Sequence, residues 1–120
     1  EQVIFTGHVS PEELVTYYKI ADIYLSMSEH EGFCLPLVES MHFKVPIVAY
    51  NSTAIPYTLG DAGIRVKVKN IPEIAELCYH LAHNRQLRQR IISDQQRRLR
   101  DFETSKLEKL LMRYISEVVR

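Results

Sequence analysis

The chain has 120 residues, 46% of them hydrophobic and 25% charged, with lysine plus arginine equal to aspartate plus glutamate. That is enough for one small globular domain with a modest core, and the even charge leaves no electrostatic footprint for nucleic acid or an acidic polymer. No run is long and apolar enough to span a bilayer, the start lacks a signal peptide's features, and the two cysteines, Cys34 and Cys78, sit apart in apolar surroundings; free thiols in the cytoplasm are the expectation.

Val3, Ile4 and Phe5 predict a strand running to Thr6, and with no turn or cap ahead of it the expectation is a fragment. Ser10-Pro11-Glu12-Glu13 predicts a capped helix start, with Leu14, Tyr17, Tyr18 and Ala21 along one face. Ile23 to Leu25 is too short for a helix and reads as a buried strand whose exit loop is the polar stretch Ser26 to Gly32. Pro36 opens a short helix with Leu37, Val38 and Met41 inward. Pro46 to Tyr50 is a further strand, and Ile64 to Val68 alternates with Arg65 and Lys67 as a half-exposed edge strand does.

Beyond Asn70 the period is helical. Asn70 and Glu73 form a capping pair ahead of Ile74, Leu77, Cys78 and Leu81, and a second helix covers Gln86 to Phe102 with Arg85, Arg90, Arg97 and Arg100 on its solvent side. A last helix from Ser105, paired with Glu108, is expected to bury Leu107, Leu110, Leu111, Tyr114 and Val118. The order implies an α/β fold, a Rossmann-like, mainly parallel sheet with flanking helices, in a single unit over residues 1–120.

The informative segment is Ser28 to Glu39, where a strand gives way to a helix, the place where open α/β sheets bind ligands. Gly32 is expected to allow a turn that a side chain would resist. The amides near Cys34, Leu35 and Leu37 begin the helix unpaired, at the positive end of its dipole, suited to phosphate or sugar oxygens. Glu39, one turn in, can accept hydrogen bonds from a vicinal diol such as a ribose offers, and Glu31 can take those of a hexose. The bland reading makes the two glutamates a solvated loop acid and a helix acid near its own dipole. His80 and His83 beside Cys78 match no zinc spacing, and Cys34 lacks a convincing base other than His30.

Glu31-Gly32-Phe33 and Glu39-Ser40-Met41 carry an E-x7-E motif, and around it stand Phe5-Thr6-Gly7, Ala21-Asp22-Ile23-Tyr24-Leu25, Pro46-Ile47-Val48-Ala49, Ala54-Ile55-Pro56 and Gly63. In that order the set resembles the family 4-like, retaining group 1 glycosyltransferases, from Val3 to the last helix. The resemblance implies the later part of the C-terminal, donor-binding half of a GT-B fold. It implies a nucleotide-diphosphate sugar as donor substrate, no metal and no other cofactor. Glu31 then meets the sugar hydroxyls and is the candidate catalytic residue; Gly32 and the amides of Phe33, Cys34 and Leu35 bind donor oxygens; Glu39 holds the ribose. The acceptor, a sugar or a lipid-linked glycan, belongs to an N-terminal domain outside this segment, as do the basic groups that neutralise the diphosphate, so transfer by this portion alone is not expected.

The chain also departs from that family. Cys34 stands where glycine is common, Lys44 where glycine is expected after the helix, and Tyr57 where an acid often follows the proline. Lys44 must take a conformation glycine adopts cheaply, or the helix ends differently. Two other readings stay open: a non-catalytic nucleotide-sugar-binding module, and an interaction unit held by helical faces. Peripheral contact of the arginine face with an anionic membrane is a further alternative. In a doubly wound order the first strand lies apart from the others, so the lone chain should leave sheet edges open, pair with a second copy as a homodimer, or move that strand inward.

Overall fold

The computed structural model describes residues 2–119. Helix α1 spans Pro11–Ile20, strand β1 Tyr24–Ser26, α2 Leu35–His42, β2 Ile47–Tyr50, α3 Ile55–Leu59, β3 Ile64–Val66, α4 Ile71–His83, α5 Arg85–Leu99 and α6 Thr104–Val118, with a 3-10 turn at Arg100–Phe102 before α6. The sheet has the order β1-β2-β3 and both pairings are parallel, with Tyr24 opposite Ile47 and Val48 opposite Ile64. Each parallel step needs a crossover, and α2 and α3 supply them. The α/β, Rossmann-like expectation is met.

Strand β2 is central and covered on both faces, which is why it reads as an unbroken apolar run. Ile47 and Ala49 pack with Leu37, Met41, Ile55 and Leu59, and Val48 faces Leu81 and Ile91. Two of the three sequence-predicted caps form. Ser10 and Glu13 exchange hydrogen bonds of 2.7 and 3.2 Å, and the Glu73 amide donates to Asn70 Oδ1.

Helix α5 closes the amino ends of the strands. Gln95, fully buried, accepts from the Ile47 amide at 3.0 Å and donates to the Val45 carbonyl at 2.8 Å, while Arg88 donates to the Asp22 carbonyl at 2.7 Å ahead of β1. These bonds satisfy backbone groups that the short strands leave unpaired.

Three expectations are corrected. Residues 3–6 form no strand, and Val3, Ile4 and Phe5 are 70%, 85% and 94% exposed; β1 pairs only with β2 among the described residues, so no ladder receives them. The edge of β1 away from β2 carries no strand among the described residues, so the first strand is not moved inward. On α1, Leu14, Tyr17, Tyr18 and Ala21 share one face as expected; Tyr18 is buried, while Leu14 and Tyr17 line an open recess beside β1. Strand β3 stops at Val66, and Val68 is exposed. Helix α6 starts at Thr104 with no side-chain cap, so the Ser105–Glu108 pair does not set its start; Leu107, Leu110, Leu111, Tyr114 and Val118 are all exposed because the helix meets the rest of the molecule mainly at the 3-10 turn.

Candidate functional site

Glu31 to Glu39 lies where the sequence puts it, on the loop leaving the carboxyl end of β1 and on α2 behind it. Cys34 is the N-cap of α2 in the left-handed conformation, φ 64° and ψ 67°, and its side chain makes no capping bond. The amides of Phe33, Cys34 and Leu35 have no hydrogen-bond partner among the described residues. The Leu37 amide differs from expectation: it donates to the Cys34 carbonyl at 3.0 Å, closing a tight turn over Leu35 and Pro36 at the start of α2. Gly32 differs too. Its φ is not positive and a Cβ there would meet nothing within 4 Å, so the conformation thought to need a glycine falls two residues later, on Cys34.

Glu39 is half-buried, and its Oε2 accepts a 2.8 Å hydrogen bond from the Tyr18 hydroxyl on α1. Its Oε1 has no such partner among the described residues. Tyr18 in turn stacks on Phe43, with ring centroids 5.3 Å apart. Burial first, then the bond to Glu39, holds the Tyr18 phenol above its ordinary range, so it remains a donor to the carboxylate. Sequence reasoning placed Tyr18 only on the apolar face of a helix; a phenol on a neighbouring helix leaves no spacing signal.

On the loop side, Phe33 meets Phe102 edge-on at 5.7 Å, and Leu35 is exposed. Cys34 is buried. Burial, and then the Glu31 carboxylate, push its thiol above the usual value, which leaves it protonated and a poor nucleophile. Tyr24 on β1 is pushed up to about 12, by burial first and then by the charge of Cys34, with Glu31 a smaller contributor. The loop is held from outside by residues not anticipated: Ser52, Thr53 and Thr58 bond its backbone, and Lys69 Nζ lies 2.7 Å from Glu29 Oε1 and 4.6 Å from the Tyr50 ring centre. The Lys69 pair is exposed and contributes little to stability. Away from the site, His83 Nδ1 bonds the Tyr79 carbonyl, and His80 lies beside Glu76.

The arrangement brings together a free carboxylate oxygen, a half-buried loop acid and free amides at a helix start, all at the carboxyl side of a parallel sheet. A model of the family described as glycosyl transferases group 1 matches residues 1–98. The chain belongs to the group 1 glycosyltransferases. Over 71 residues it is 35% identical to the O-antigen chain mannosyltransferase B of Escherichia coli, covering 59% of this chain and 19% of that protein. It is 34% identical over 61 residues to the alpha-monoglucosyldiacylglycerol synthase of Streptococcus pneumoniae, covering 51% of this chain and 14% of that one. Against the MMP alpha-(1->4)-mannosyltransferase of Mycolicibacterium hassiacum the identity is 35% over 69 residues, with 58% and 17% covered. The matched segment is thus less than a fifth of the length of each of these relatives. The family match ends within α5, so α6, which the resemblance was expected to include, lies beyond it.

Proposed function

We propose that this chain is the donor-binding portion of a glycosyltransferase, taking a nucleotide-diphosphate sugar whose glycosyl group passes to an acceptor with retention of configuration. The observation that carries the reading is the motif's position: Glu31 on the loop and Glu39 on α2 flank the free amides of Phe33, Cys34 and Leu35 at the carboxyl end of β1. In this reading Glu39 Oε1 accepts from the ribose diol while Tyr18 holds Oε2. The amides and the positive end of α2 take donor oxygens, with Gly32 leaving open space beside them. Glu31 meets the sugar hydroxyls and is the catalytic candidate. The nucleotide diphosphate is the leaving group, without a metal. A longer protein supplies the acceptor site, for a sugar or a lipid-linked glycan, and works in the cytoplasm or at the inner membrane surface.

Support for the enzyme class comes from the family and from relatives named as mannosyltransferases and as a glucosyldiacylglycerol synthase. Support for the second reading, a helical interaction module, comes from the exposed apolar side of α6, and a homodimer is one form it takes. Calorimetric titration of a panel of nucleoside diphosphates and their sugars against the chain and Glu39→Ala separates the two. Donor binding predicts saturation by one nucleotide series, weakened about tenfold or more by the substitution, since a charge-assisted hydrogen bond is worth about 1.5–3 kcal/mol. Binding that is indifferent to Glu39, or no binding either by this chain or by a longer one that carries the preceding strands, favours the module; binding only by the longer one means that those strands supply most of the affinity.

A further inference from the structure

The loop between β1 and α2 has no ladder or helix for its backbone groups, which must find partners elsewhere. Three of them find hydroxyls on one short stretch, residues 52–58. Ser52 Oγ donates to the Ser28 carbonyl at 2.7 Å, the Glu31 amide donates to Thr53 Oγ1 at 2.8 Å, and Thr58 Oγ1 donates to the Phe33 carbonyl at 2.5 Å. Each bond joins residues 22 to 25 apart in sequence, so none is a local turn contact. The stretch is itself anchored: Thr58 is buried on α3, and Arg98 Nε on α5 donates to the Thr58 carbonyl at 3.1 Å. Thr53 is held at φ 38°, a conformation a β-branched residue resists. Local backbone strain of this kind persists only where the surroundings over-determine it. Here it lies opposite the amide of Glu31.

We propose that Ser52, Thr53 and Thr58 form a clamp that presets the Glu31 loop for the sugar moiety of a nucleotide-diphosphate sugar, with Thr53 the decisive member. They are positioning residues. The proposal rests on the donor-binding reading and assigns a role to groups outside the E-x7-E motif. Thr53 bonds the amide of the very residue whose carboxylate meets the sugar, so it sets where that carboxylate starts from. A loop ordered before the donor arrives does not bear its ordering cost at binding. Because Thr53 touches the amide of Glu31 and not α2, its loss acts on recognition of the sugar and leaves recognition of the nucleotide at Glu39 unchanged.

The test uses the whole chain with Thr53→Gly and Thr53→Ser. Glycine removes the hydroxyl and relieves the positive φ; serine keeps the hydroxyl. The expected result is a Glu31 amide that exchanges with solvent at least tenfold faster in Thr53→Gly, with serine restoring protection and a melting temperature that does not fall with glycine. In titrations, affinity for the nucleotide sugar drops several-fold in Thr53→Gly while affinity for the matching nucleoside diphosphate holds. Unchanged exchange at Glu31, failure of serine to rescue, or equal weakening of both ligands overturns the clamp. Failure to bind a nucleotide sugar both by this chain and by a longer one that carries the preceding strands overturns the donor reading and with it the clamp's link to the sugar, while the exchange comparison still decides whether these hydroxyls order the loop.

Discussion

Among the described residues three that are not glycine have positive φ: Cys34 at 64°, Lys44 at 59° and Thr53 at 38°. Lys44 is the clearest of them, because its exposed side chain contributes no core packing and its backbone takes the shape expected of a glycine after α2. Lys44→Gly should therefore stabilise the chain by about 0.5–1 kcal/mol, read as a raised midpoint in urea with an unchanged slope. Cys34 is different, since its buried side chain belongs to the core around Leu37 and Met41 and a glycine there would forfeit that packing. Tyr18, Tyr24 and Cys34 all titrate above their ordinary values, chiefly through burial. For such groups the stabilising protonated form is fully present below the unfolded pKa and is lost as pH rises. From pH 6 to 8 the melting temperature should hold on their account, and above about pH 9 it should fall, as the unfolded thiol and then the phenols ionise first. A chain equally stable at pH 8 and pH 10.5 would contradict these environments.

At the scale of elements, legibility followed the strength of each local signal. The capping pairs Ser10–Glu13 and Asn70–Glu73 and the apolar run of β2 each state their structure in residues close in sequence, and each formed as read. Helix α3 was missed because five residues are too few to show a period and Pro56 resembles a loop. The strand expected at residues 3–6 was lost for the opposite reason: its residues favour a strand, yet a strand exists only beside a neighbour, and sequence alone does not show whether one is there. The role of Gln95 was likewise invisible, since its partners Val45 and Ile47 lie about 50 residues away. Gln95→Leu should destabilise the chain by about 3 kcal/mol, because it leaves a buried N–H and a buried carbonyl unpaired at once. Calorimetric or urea unfolding reads that directly, and a loss below about 1 kcal/mol would mean that water or a backbone shift satisfies both groups.

For the molecule as a whole, the radius of gyration is 16.3 Å, against about 14 Å for a compact domain of this length, with a longest dimension of 60 Å. The excess matches the exposed residues 2–8 and α6, whose apolar stripe was read as core and instead faces outward. Periodicity shows that a helix has an apolar side but not what covers it. The motif at Glu31 and Glu39 was legible because its loop, helix start and strand are contiguous in sequence. Tyr18 and the hydroxyls of residues 52–58 were not, because they reach the site from other elements. Among the described residues no helix is long and apolar enough to cross a membrane. The most direct measurement of the central claim is amide chemical-shift mapping of the chain on addition of a nucleotide-diphosphate sugar. The account predicts saturable shifts concentrated at Glu31, Phe33, Cys34 and Leu35 and at Glu39 on α2; shifts confined to α6 or the arginine face of α5, with the Glu31–Glu39 amides unmoved, would contradict it.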